Sequence, residues 1–289
     1  MSYEVRQLAS AEFPPLLAEI NDPPTQLFAA GDVSLLVRDI RFLAVVGSRK
    51  YTTYGKQACE SLIAGLRGAP VCIVSGLAMG IDAIAHRAAL AAGLTTIAIP
   101  GSGLGERVLY PRSNRTLADD IIAGGGALVS EYENDFKACT WSFPQRNRIM
   151  AGMSHATLVI EATEKSGTLI TSRLASDYNR DVLTVPGSIF SAHTSGPNML
   201  LRLGATPIRN SDDILEALGI ADHKRESADH LALTESEQAV IALLAEPRTK
   251  DELIRALDLP THEAQILLTK MELKKIIVER TGKIQVVYH

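Results

Sequence analysis

RFLAVVGSRKYTTYG, residues 41 to 55, decides how the rest of the chain is read. After Arg41 it stays apolar for five positions, Phe42 to Val46, on both parities of the strand period. A strand with one wet face alternates, whereas a continuous run belongs to a strand covered on both faces. Gly, Ser, Arg and Lys follow, and then Ala58, Leu62 and Leu66 recur at helical spacing. Runs of the same kind come at VCIVS (71–75), TTIAIP (95–100), ALVSE (127–131), TLVIEA (157–162) and VLTVPG (182–187), with helical patterns such as Ile81, Ile84 and Ala88 between them. This alternation predicts a doubly wound, mostly parallel α/β sheet of Rossmann-like type. The segments after the strands then line one crevice at the carboxyl ends: GSRKYTTYG, SGLAMGID, PGSGLGERVLYPRSN, EYENDFKACTWSFPQRNR, EATEKSGT and PGSIFSAHTSGPN.

Working outward, the sheet domain is expected over 41–218. Residues 1–40, with the paired prolines of EFPPLLAEINDPPTQLFAAGD, are expected to form an N-terminal extension packed on the sheet, too short for a core of their own. GIADHKRESADH (219–230) is polar and charged and reads as a linker. In 231–289, TESEQAVIALLAE, KDELIRALDL and THEAQILLTKMELKKI read as three amphipathic helices and IIVERTGKIQVVYH as a hairpin, a winged-helix arrangement.

A net charge of −4 and a pI near 6.0 give no global basic field, so any site for a polyanion must be local. Cys59, Cys72 and Cys139 are widely spaced without a CxxC pair, which argues against a disulfide framework or a zinc site and suits a reducing compartment. No metal and no cofactor are expected. No apolar stretch reaches 18 residues, so the expectation is a cytoplasmic protein without a membrane span.

The crevice loops carry the chemistry. Gly47 permits close backbone approach, with Ser48 and Arg49 beside it. FPQRNR (143–148) sets Arg146, Asn147 and Arg148 at a helix entrance, where backbone N–H groups and guanidinium forks suit phosphate. Ser166, Gly167 and Thr168 open another helix. Arg49, Lys50, Arg107, Arg112, Arg115, Lys137, Arg146, Arg148 and Arg173 outnumber the nearby Glu106, Glu131, Glu133, Asp135, Glu161 and Glu164, and Tyr110, Trp141 and Phe143 are interleaved. Cations that track a backbone, with aromatic faces between them, suit a single nucleic-acid strand. Asp82 and His86, four apart on one helical face, could form an acid–base pair, or Asp82 could brace the glycine loop. Ser75 and Ser130 lack the GxSxG elbow of a nucleophile, and Met79 and Met153 are expected in the core.

With GSRKYTTYG, SGLAMGIDAIAH, GSGLGERVLYPRSNRTL, FPQRNRIMAGMS, EATEKSGTLIT and VPGSIFSAHTSGPNMLLRLGA in this order, the sequence resembles the DNA-processing protein A (DprA or Smf) family over roughly residues 12 to 210. The resemblance implies an extended Rossmann-like domain that binds single-stranded DNA without turnover, protects it and delivers it to a RecA-type recombinase in natural transformation, and that forms a homodimer. It implies a strand-binding pocket at Arg49, Arg146 and Arg148, a stacking role for Phe143, phosphate contacts at Gly167 and Thr168, and a less secure contact at Lys137. The apolar run Met199, Leu200, Leu201 and Leu203 is available for self-association. The family's helical module ahead of the sheet domain is expected to be absent or reduced, because only about 40 residues precede GSR.

Two other readings compete. A duplex-binding transcription regulator would use the winged helix, yet 231–289 holds eight Lys and Arg against nine Asp and Glu, with Glu263 and Glu272 on the third helix, which favours a regulatory or protein-contact role. A nucleoside monophosphate phosphoribohydrolase would need a glutamate where Thr171 stands.

Overall fold

The computed structural model describes residues 3–220, 234–244, 248–257, 259–274, 276–280 and 282–286. It divides into two compact units, 1–225 and 226–289; most of the expected linker lies outside the described residues.

In the larger unit the chain runs β1 (Arg6–Gln7), β2 (Phe28–Gly31), β3 (Arg41–Val46), α1 (Thr53–Ala64), β4 (Val71–Ser75), α2 (Ile81–Ala91), β5 (Thr96–Ala98), α3 (Arg115–Ala123), β6 (Ala127–Ser130), α4 (Ser142–Met153), β7 (Ala156–Val159), α5 (Thr168–Asp177), β8 (Asp181–Thr184), α6 (Ser195–Arg202), β9 (Thr206–Pro207) and α7 (Ser211–Ala217). The nine strands form one sheet in the order β1-β2-β6-β5-β4-β3-β7-β8-β9, parallel from β6 to β9. As the periodicity of 41–46 predicts, β3 is buried on both faces. Leu43 and Val45 join Ile73, Leu158 and Leu183 under α1, α2 and α7, while Phe42 and Val46 join Val74, Ile149, Met150 and Met153 on the opposite side.

From β3 the chain winds outward through β4 and β5 to β6, then returns to place β7 on the other flank of β3. The loops leaving β3 and β7 therefore diverge, and a crevice opens at this switch point.

The N-terminal segment does more than cover the sheet. β2 pairs antiparallel with β6, Phe28 opposite Ser130 and Gly31 opposite Ala127, and β1 pairs with β2. Leu17, Leu27, Leu35 and Leu36 enter the same core as Val46 and Ile149.

The smaller unit holds α8 (Glu235–Leu243), α9 (Lys250–Ala256), α10 (Thr261–Leu273) and the hairpin β10 (Ile277–Arg280) and β11 (Lys283–Val286). Thr234 and Thr249 close capping boxes with Glu237 and Glu252, satisfying backbone N–H groups at the starts of α8 and α9. Val240, Leu253, Leu268, Met271, Ile277 and Ile284 make a separate core.

Candidate functional site

The crevice holds a cleft of about 570 Å³, lined on one side by Gly47, Ser48, Arg49 and Lys50 after β3 and on the other by Thr163, Ser166, Gly167, Thr168, Ile170 and Thr171 after β7. Phe143, Pro144, Arg146, Asn147 and Met150 of α4 form a third wall, and Val46, Ala78, Asp82 and His193 complete the lining.

The loop after β3 is held by its own bonds. Ser48 Oγ donates to the Lys50 carbonyl at 2.6 Å and accepts from the Lys50 amide at 3.1 Å, while the Ile81 amide at the start of α2 donates to the Ser48 carbonyl at 3.2 Å. Gly80 has φ 88°, and a Cβ there would strike the Ser48 carbonyl, so this close approach requires glycine. Arg49 is exposed, and its guanidinium carbon lies 5.4 Å from the centroid of the Phe143 ring. Tyr110 meets the same ring at 5.6 Å. An exposed cation over an aromatic face at a cleft mouth can be exchanged for a base, leaving the cation free for a phosphate.

Arg146 is 4% exposed and lines the cleft floor. Its Nη1 donates to the Gly76 carbonyl at 2.6 Å and to the Ile99 carbonyl. A side chain at Gly76 would collide with this guanidinium and with Asp82. Burial pulls the Arg146 pKa down to about 10 and raises that of Asp82, and each charge partly offsets the effect on the other. Asp82 also accepts from the Ala78 amide at 3.4 Å, bracing the glycine loop.

Arg148 is a correction. It sits two residues along α4, about 200° around the helix from Arg146, and does not line the cleft. Its Nη1 donates to the Asp22 carbonyl at 2.7 Å, its Nη2 is paired with Glu131, and its Nε lies 3.4 Å from the Asp22 carboxylate. Burial raises the Glu131 pKa, and the Arg148 charge opposes that shift. The residue that pairs with N-terminal strand-flanking structure has no fork left for a ligand in the cleft.

Lys137 is exposed on the loop between β6 and α4 and lies outside the cleft lining. Gly167 and Thr168 do reach it at the start of α5, where Ser166 Oγ accepts from the Thr168 amide at 3.2 Å and donates to Thr168 Oγ1 at 2.9 Å. Met79, expected in the core, is 51% exposed and lines a small recess with Tyr110 and Phe143, whereas Met153 is buried.

Asp82 and His86 do not bond to each other. Thr96 Oγ1 donates its proton to the Ile73 carbonyl at 2.8 Å, so His86 Nδ1, 2.7 Å from that oxygen, is the donor in their contact. Nε2 is buried without a partner, and burial, aided by the Arg146 charge, lowers the His86 pKa to about 3. Ser75 and Ser130 donate to the Val45 and Ser102 carbonyls. Glu161 takes the amide and hydroxyl of Thr52 at 2.9 and 2.5 Å, tying β7 to the start of α1. Two of the crevice carboxylates, Glu131 and Glu161, are thus spent on internal contacts. Sequence reasoning missed His193, Thr163 and Ile170; the first two lie in crevice loops without a pattern that separates them from ordinary loop residues, and Ile170 lies in α5, just past the loop. Among the described residues no cluster of His, Cys, Asp and Glu could hold a metal, and no helix is long and apolar enough to cross a membrane.

The sequence and the fold are similar to those of known proteins. Residues 4–219 match the family model for the DNA recombination-mediator protein A. DNA processing protein DprA of Bacillus subtilis is 41% identical over 73% of this chain and 70% of its own length, and Protein Smf of Escherichia coli is 39% identical over 81% and 62%. The X-ray structure of DprA from Streptococcus pneumoniae superposes with a TM-score of 0.68 at 38% identity, covering 75% of this chain and 74% of that one. The DprA of Helicobacter pylori, a structure described for its single-stranded DNA binding mode, gives 0.66 at 32% identity over 75% and 96%. With residues 4–219 matched, three quarters of its length and every residue that lines the cleft, the chain belongs to the DNA recombination-mediator protein A family.

Proposed function

We propose that the chain binds single-stranded DNA in the cleft between the β3 and β7 loops, without turnover, and holds it for a RecA-type recombinase in the cytoplasm during natural transformation. The observation that carries this reading is Arg49 poised over Phe143 at the cleft mouth, with Arg146 on the floor and the α5 N-terminus opposite. A base takes the aromatic face, the phosphates take Arg49 and the first turn of α5, and no element reads base edges, so binding is tolerant of sequence. Gly47, Ser48 and Asn147 shape the walls. Thr171, 1% exposed in the cleft, offers no carboxylate for hydrolysis of a nucleoside monophosphate. Homodimerisation through the sheet domain would bring two clefts onto one strand and raise avidity; the exposed Met199 and Leu203 support it. We read 231–289 as a winged-helix domain with a regulatory role, joined through 219–230 to the strand-binding domain at 41–218.

The test is fluorescence anisotropy with single-stranded and duplex oligonucleotides of equal length. Single strands should bind far more tightly, with affinity falling steeply as salt rises because condensed counterions are released. Arg49→Ala should weaken binding roughly tenfold or more, about 1.4 kcal/mol, with thermal stability unchanged. Equal affinity for both forms, or a flat salt response, overturns the proposal.

A further inference from the structure

Trp141 stands at the threshold of α4 with 58% of its surface exposed. An indole is usually buried for most of its area because it carries a large apolar surface. This one is not loose. Tyr132 and Phe136 stack at 4.3 Å, and the indole meets both rings edgewise, at 5.9 and 5.7 Å. The backbone on either side is held as well: the Cys139 amide donates to Ser142 Oγ at 3.1 Å, the Ser142 amide donates to the Cys139 carbonyl at 3.0 Å, and Ser142 Oγ lies 2.5 Å from the Gly101 carbonyl. An exposed ring whose position is already fixed loses little conformational freedom when something stacks on it.

We infer that Trp141 is a second base-stacking platform, outside the cleft, on which a single DNA strand rests after it passes Phe143. The inference depends on the single-strand reading of the cleft and adds to it the path of the strand. Phe143 lies two residues beyond Trp141. Its ring meets Arg49 and Tyr110, which line the recess at the cleft, while Trp141 meets a separate pair of rings, Tyr132 and Phe136. A strand leaving the cleft over Phe143 therefore crosses the start of α4 and meets the indole next. Lys137 is exposed on the same loop; Glu133 and Asp135 sit at its beginning, where the turn is bonded to Gly103 and Gly105. The surroundings favour a base over a protein partner. Between Glu131 and Met153 no other large apolar side chain is exposed. A protein interface gathers an apolar core around such an anchor, whereas one exposed flat face with a lysine on its loop suits a single base.

Trp141 is the chain's one tryptophan, so intrinsic fluorescence of the full-length protein reports this ring alone. Oligodeoxythymidylates of about 12 nucleotides should quench it, and those of about 3, which fill only the cleft, should not. Trp141→Ala should weaken binding of the longer oligonucleotide by about 5- to 100-fold, the range expected for one stacked base. It should leave the short one and the thermal midpoint unchanged, and Trp141→Tyr should restore most of the loss. Unchanged fluorescence at saturation with the long oligonucleotide, together with ordinary affinity of Trp141→Ala, overturns the inference. Equal weakening of short and long oligonucleotides, or no rescue by tyrosine, also overturns it, since the ring would then be a structural prop. So does quenching that follows protein concentration without DNA, which would mean that a second copy covers the ring. If no single strand binds at any length, or Arg49→Ala binds as the parent does, the cleft reading itself has failed.

Discussion

The cleft floor at Arg146 and the clamp behind α4 at Arg148 begin from the same short motif and end with opposite tasks. Both guanidiniums are buried, at 4% and 6% exposure. Arg146 faces the cleft, held by the Gly76 and Ile99 carbonyls beside Asp82. Arg148 is closed in an ion pair with Glu131 and fastened to Asp22 in the segment ahead of β2. The lesson is that an arginine at a helix entrance is defined by its azimuth on the helix. One turned toward the open crevice keeps part of its fork for a ligand, and one turned toward a neighbouring carboxylate has become part of the fold.

The widest separation should appear in Arg148→Ala. Removing one partner of a buried ion pair leaves Glu131 with an uncompensated charge, and loss of about 3 kcal/mol in denaturant unfolding is expected. The N-terminal segment should loosen first, visible as lost hydrogen-exchange protection at β2, while the folded fraction still binds single-stranded DNA. Ordinary stability with abolished binding would reverse the roles assigned to the two arginines.

Arg146→Ala should act on both quantities. It strands two carbonyls and takes from Asp82 its larger counter-charge, leaving the weaker one of Arg49, a cost of about 2 kcal/mol, and it also weakens strand binding. Adding Asp82→Asn should recover part of the stability and none of the binding, as read by unfolding and anisotropy on the same samples. Recovery of both would make Arg146 a brace like its neighbour.

The effect that is smallest at neutral pH, and grows only on acidification, is a pH slope beneath the cleft. The native value of His86 is about 3, against about 6.5 in an unfolded chain. Between these values the unfolded state binds a proton that the native state refuses, so the contribution is complete above about pH 6.5 and is lost as pH falls, at up to about 1.4 kcal/mol per unit. His86→Gln should remove that slope relative to the parent. Because the Arg146 charge helps to lower the His86 value, the slope should level off at a higher pH in Arg146→Ala and be unaltered in Arg148→Ala, which separates the two regions again.

Particular elements show what was legible. β3 could be read from Phe42 to Val46 because burial on both faces removes the polar alternation. β2 could not: Phe28–Gly31 is four residues long, lies close to prolines, and is a strand because β6, about 100 residues later, supplies its hydrogen bonds. Arg49 could be placed at the cleft from its loop, whereas Lys137, equally basic and on a loop at the same end of the sheet, falls outside it. Met79 looked like a core residue because methionine usually is one, and only the fold turns it outward beside Phe143.

The sequence by itself determined the strand-helix rhythm, the burial of the parallel strands and the set of loops gathered at one end, because these follow from periods of two and 3.6 residues within single segments. Tertiary structure alone decided which of those loops meet at the β3–β7 switch point and which arginine of FPQRNR lines the cleft. Those outcomes depend on partners such as Asp22, Asp82 and Glu131, brought beside α4 by the winding of the sheet. A contact between residues far apart in the chain leaves no local period for the sequence to show.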